Sequence, residues 1–128
     1  MKKVVIKFIT IDGENKSSTK YIGGLYELED SKKIHYIEKS GISGDIYLKN
    51  SNNKIFVEVE NDNYKNSITF NLNKWEKCVM EFKTGQKVDY QVFAKSINNS
   101  DNLIEISYFV QLDGEVSNHQ FIMEVNNG

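Results

Sequence analysis

The segment from Leu103 to Val125 constrains the fold more than any other part of the chain. Apolar and polar side chains alternate there on both sides of a central Asp113-Gly114 pair. Period-two alternation is a strand signal, and Asp-Gly between two such runs favours a two-residue type I′ hairpin, whose central residues both need positive φ. The turn then dictates the register. Leu112 is expected opposite Glu115, Val110 opposite Ser117, Tyr108 opposite His119, Ile106 opposite Phe121 and Ile104 opposite Met123. That stripe is largely apolar, whereas the other face sets Phe109 by Asn118, Ser107 by Gln120 and Glu105 by Ile122, a mixture suited to solvent. A slip of one residue would turn Asn118 and Gln120 inward, so turn chemistry and pattern agree.

The same period runs through the rest of the chain. Lys2 to Ile11 reads as a first strand, broken by Asp12-Gly13 and a polar stretch through Thr19. Tyr21 to Glu29 reads as a second, with Gly23-Gly24 inside it marking a bend or close backbone packing. Strands are then expected over Lys33 to Lys39, Asp45 to Lys49, Ile55 to Val59, Ile68 to Leu72, Cys78 to Phe82 and Val88 to Ala94, separated by Asn-, Asp- and Gly-containing turns. The only weak helical candidates are Asn71 to Glu76 and the polar loop after Gly13. No proline, internal repeat or linker interrupts the pattern. The expected architecture is therefore all-β, one domain over residues 1-128, with short-loop hairpins that favour an antiparallel, mostly up-and-down barrel of about eight to ten strands over a sandwich. A chain of 128 residues buries about two thirds of its unfolded surface, which is enough for a core without a disulfide or metal staple.

Charge narrows the partners. All sixteen basic residues are lysines and the formal charge is −2. That balance argues against nucleic acid, where arginine forks and a basic footprint are the rule. The lysines stop at Lys95, leaving Asp101, Glu105, Asp113, Glu115 and Glu124 beyond it, and this acidic end reads as a solvated face. No run approaches the roughly 18 apolar residues of a membrane span, and Lys7 interrupts the early Val4-Val5-Ile6 run before signal-peptide length. One cysteine excludes an intrachain disulfide and is compatible with a reducing compartment. A cytoplasmic location without membrane association follows as the expectation.

Little in the sequence names chemistry. His35 and His119 fall in different strands with no Cys or His at ligand spacing, so no metal and no cofactor is expected. Cys78 shares parity with Met80 and Phe82 and reads as a small buried hydrophobe. The pairs Glu27/Glu29 and Glu58/Glu60 put carboxylates on common strand faces, as the wet side of any strand does. Trp75, beside a turn, is expected to plug a barrel end or pack on a loop. His119 is the polar group to follow, because its parity places it inward, facing Tyr108. The pair is either a satisfied buried contact or the polar end of a ligand cavity. Tyr108, His119, Phe121 and Tyr90 are thus the candidate ligand-binding residues, with no catalytic residue assigned.

The run Leu103-Ile-Glu-Ile-Ser-Tyr-Phe-Val-Gln-Leu-Asp-Gly-Glu-Val-Ser-Asn-His-Gln-Phe-Ile-Met-Glu-Val125 resembles the terminal hairpin of the YwiB-like family, small bacterial proteins classed as a domain of unknown function. Gly24-Leu25-Tyr26, the stretch from Lys33 to Glu38, and Phe82-Lys83-Thr84-Gly85 are similar to its earlier strands and central turn. The chain departs from the family between Gly85 and Asn99, where a Thr-Pro-Tyr-Gly-like stretch is absent. The resemblance implies a calycin-like barrel, the architecture shared with lipocalins and fatty-acid-binding proteins, and implies no activity. The early Gly-x-Trp signature of lipocalins is missing.

Three functional classes remain. The first is a non-enzymatic barrel that binds a small apolar or amphipathic molecule in its interior. The second is an interaction module using an exposed sheet face or edge, suggested by Phe56 and Phe109 on otherwise polar faces, and it leaves room for a homodimer. The third is an enzyme, which would require a deep polar pocket joining His119 to a carboxylate.

Overall fold

The computed structural model describes residues 1–38, 40–51 and 53–126. Ten strands follow one another: β1 (Lys2–Asp12), β2 (Asn15–Glu27), β3 (Lys32–Ile37), β4 (Ser43–Ser51), β5 (Lys54–Asn61), β6 (Tyr64–Asn71), β7 (Trp75–Phe82), β8 (Lys87–Asn99), β9 (Leu103–Leu112) and β10 (Glu115–Asn126). Each pairs antiparallel with its sequence neighbours, and β1 pairs with β10 to close the barrel. Every strand thus has a partner on both sides over at least part of its length.

The β9–β10 hairpin has the register the turn dictates, from Leu112 opposite Glu115 to Ile104 opposite Met123. Asp113 and Gly114 both have positive φ, 52° and 81°, as a type I′ turn requires. Two expectations fail locally. The polar stretch after Gly13 is strand rather than loop, because β2 begins at Asn15 and pairs along β1, Lys16 opposite Ile11 and Ser18 opposite Ile9. The segment Asn71 to Glu76 is not helical: a tight turn with Asn73 at φ 60° leads directly into β7.

Gly23 and Gly44 flank Tyr36 on the neighbouring strands. A Cβ at Gly23 would collide with the His35 carbonyl oxygen, and one at Gly44 with the Tyr36 hydroxyl. Neither position has room for a side chain.

The inward stripes meet in one core. Val4, Ile6, Ile34, Ile46, Phe70, Val92, Ala94, Phe121 and Met123 are each 0% exposed, so a water-sized sphere reaches them neither from outside nor from a void within. The barrel is filled by side chains in this part, not hollow.

The wall has one weak seam. β6 and β7 pair only between Tyr64–Ser67 and Val79–Phe82, and past the end of β6 Leu72 bridges to Ala94 on β8. Side chains occupy the gap. The Thr69 amide donates to Cys78 Sγ at 3.4 Å, and the buried Asn71 amide donates to Glu76 Oε1 at 2.7 Å. Lys54 Nζ lies 3.5 Å from the same carboxylate. The Asn71 hydrogen bond, followed by the Lys54 charge, holds the Glu76 carboxyl below its ordinary pKa.

Candidate functional site

The structure brings two of the four sequence-predicted residues into direct contact and strings a third along the same aromatic column. His119 stacks on Tyr108, with ring centroids 5.5 Å apart and planes within 19°. Tyr108 meets Phe70 edge-on at 4.7 Å, and Phe70 lies 6.1 Å from Phe121. Phe121 contacts Phe8, Phe8 contacts Tyr21, and Tyr21 lies 4.4 Å from Tyr36. The column therefore crosses the barrel from β9–β10 to β3. Such offset and edge-on contacts are the favoured ones for aromatic rings. Tyr90, on β8, stands beside Cys78 and donates its hydroxyl to Asn66 Oδ1.

His119 is satisfied on both ring nitrogens. Thr10 Oγ1 lies 3.2 Å from Nδ1 and Ser117 Oγ 2.6 Å from Nε2. A neutral imidazole offers one donor and one acceptor, so one hydroxyl accepts and the other donates. Burial lowers the His119 pKa below its ordinary 6.5, which keeps the ring neutral near pH 7. Burial also raises the pKa values of Tyr108, Tyr90 and Cys78. Burial thus favours the protonated thiol.

The remaining polar candidates stay apart. His35 bonds Asp45 at 2.9 Å on the outer face of β3–β4. Glu27 lies 3.9 Å from Lys2 and Glu58 3.3 Å from Lys65. Among the described residues no three His, Cys, Asp or Glu side chains gather to hold a metal ion. Trp75 neither plugs a barrel end nor covers a loop. It is 44% exposed on the outer wall, packed on Phe93, which in turn packs on Phe109, with Lys95 Nζ 4.3 Å above the Phe109 ring.

Concavity lies on the outside as well. A groove of about 430 Å³ crosses the outer face of β4, β5 and β6. Tyr47, Phe56, Glu58, Ser67 and Thr69 line it from the outer face. Asp30 and Lys49, 3.6 Å apart, close one rim. Phe56 was visible in the sequence as an aromatic residue on a polar face. Parity also turns Tyr47 outward, but its meeting with the rest was not visible, because only the rows Tyr47–Glu58–Ser67 and Lys49–Phe56–Thr69 assemble the lining. A second groove, of about 510 Å³, touches Tyr90 and Cys78 beside the Asp113-Gly114 turn, but Lys77, Asp89, Gln91 and Gln111 make its lining polar.

These features define a closed, up-and-down, ten-stranded antiparallel β-barrel. A solved structure with this architecture is that of the ywiB protein from Bacillus subtilis, similar with a TM-score of 0.64 over 98% of this chain and 91% of that one, at 15% sequence identity. That likeness is one of fold, a closed antiparallel barrel. No family model matches the chain, and no curated protein matches it.

Proposed function

We propose that the chain is a non-enzymatic binding scaffold that takes its partner on the outer face of β4–β6, where an aromatic side chain of a partner protein lodges between Tyr47 and Phe56. The observation that carries this reading is the placement of space: a groove of about 430 Å³ lies outside, while the central core residues are inaccessible. That volume falls within the roughly 300–1,000 Å³ of ordinary ligand sites, and two aromatic side chains beside hydroxyls suit a flat ring with one polar group.

The interior reading has one observation in its favour. His119 carries two hydroxyl partners and is itself only half-buried, so it offers a polar anchor to an amphipathic molecule. Entry would require Tyr108, Phe70 or Phe121 to leave their packed positions, at the cost of aromatic contacts and buried apolar area.

Amide and aromatic NMR shifts during titration separate the two readings. p-Cresol, a tyrosine side-chain analogue, is expected to move Tyr47, Phe56, Ser67 and Thr69, and Phe56→Ala is expected to remove the effect. Decanoate serves as the amphipathic probe. Shifts confined to Tyr108, His119 and Phe121 with decanoate would overturn the groove assignment in favour of the interior, and silence with both probes at millimolar concentration would overturn both.

A further inference from the structure

Four strands on the far side of the barrel from the groove form a wall with a regular pattern of charge. Reading outward-facing residues across β2, β1, β10 and β9 gives Ile22–Val5–Glu124–Leu103, then Lys20–Lys7–Ile122–Glu105, then Ser18–Ile9–Gln120–Ser107, then Lys16–Ile11–Asn118–Phe109. The β1–β2 half carries lysines, aliphatic residues and Ser18, with no acid among them. The β9–β10 half carries the acids.

Lys7 and Lys20 stand directly opposite one another, an arrangement that costs stability on a sheet. Lys3, Lys7, Lys16 and Lys20 form no ion pair among the described residues, and neither do Glu105 and Glu124. Lys20 and Glu105 are three strand spacings apart, roughly 14 Å, too far to meet within one molecule. The acid that would complement Lys20 is present on the same chain and out of its reach.

We propose that this wall is the interface of a two-fold homodimer. With the axis lying in the interface and parallel to the strands between β1 and β10, β2 of one copy faces β9 of its partner at the same level. Lys20 then meets the partner's Glu105, and Ile22, 48% exposed in the single chain, meets the partner's Leu103. Each contact occurs twice, as an isologous interface demands. Two convex barrels touch along a strip, so the interface is small and the dimer is weak and salt-sensitive.

The test is a charge swap read by sedimentation or light scattering. In low salt the mass is expected to rise from 14.8 kDa toward twice that value with concentration, and to fall back on adding salt. Lys20→Glu and Glu105→Lys are each expected to weaken association by about tenfold or more, because like charges then face each other. The double variant restores it, and Glu81→Lys on the remote β7 leaves it unchanged. Monomer at every concentration overturns the proposal, as does a dimer that Lys20→Glu leaves intact or that the double variant fails to restore. Co-sedimentation of monomer with phosphatidylserine vesicles, lost in Lys20→Glu and not recovered in the double variant, overturns it in favour of a lipid surface.

Discussion

The hydroxyl of Tyr36 on β3 occupies the space that a side chain at Gly44 on β4 would need. The fully buried ring thus lies over a bare stretch of the adjacent strand. Gly44→Ala puts a methyl group into the hydroxyl and against the Glu60 carbonyl oxygen, 2.8 Å away. Overpacking of this kind costs about 1–3 kcal/mol. A urea midpoint equal to that of the parent would refute the steric account.

Gly114→Ala isolates the other reason for a glycine. A Cβ at Gly114 meets nothing within 4 Å, so only its φ of 81° is at stake. The expected loss is about 1 kcal/mol, from the backbone alone. Equilibrium unfolding measures it, and Gly114→Asn, which tolerates the left-handed region, should recover part of the loss.

His119 gives stability a pH dependence of known sign. Its folded pKa lies below the ordinary 6.5, so the unfolded chain takes up the proton first. The contribution of the neutral ring is fully present above about pH 6.5 and is lost as pH falls through that value toward the folded pKa. The stability difference between the parent and His119→Asn should therefore narrow between pH 7.5 and 5. A difference that stays constant over that range would mean the ring titrates alike in both states.

Amide exchange should be fastest, within strands, at the β6–β7 seam. Ile68 to Asn71 and Trp75 to Cys78 lie beyond the last paired residues of that ladder, and the Thr69 amide rests on a thiol, a weak acceptor. Local opening there breaks fewer backbone hydrogen bonds than elsewhere in the wall. Protection at Thr69 equal to that at Val5 or Ile106 would contradict this.

The β9–β10 hairpin was legible residue by residue because an Asp-Gly turn and an alternating pattern specify the same register. The start of β2 was not legible, since Asn15 to Lys20 has no apolar stripe and is held in the sheet by β1 alone. The pairing of Tyr108 with His119 followed from parity. Whether those residues line a cavity or fill one did not, because parity says which way a side chain points and not what it meets from across the barrel. Phe70 reaches Tyr108 from a strand about forty residues earlier, a contact no local pattern encodes. The groove beside Phe56 and the charged wall required the registers of several strands at once.

Nine of the ten ladders join strands adjacent in sequence, and the tenth joins β1 to β10. Most of the wall can therefore assemble through successive hairpins with small loop-closure entropy, while the final ladder brings together Lys3 and Asn126 across nearly the whole chain. A late closure of this kind predicts a kinetic asymmetry. Truncations such as Ile9→Val should act mainly on the unfolding limb of the chevron, and those in the β9–β10 hairpin on the folding limb, so the rate at which the barrel forms and the rate at which it bursts are governed by different strands.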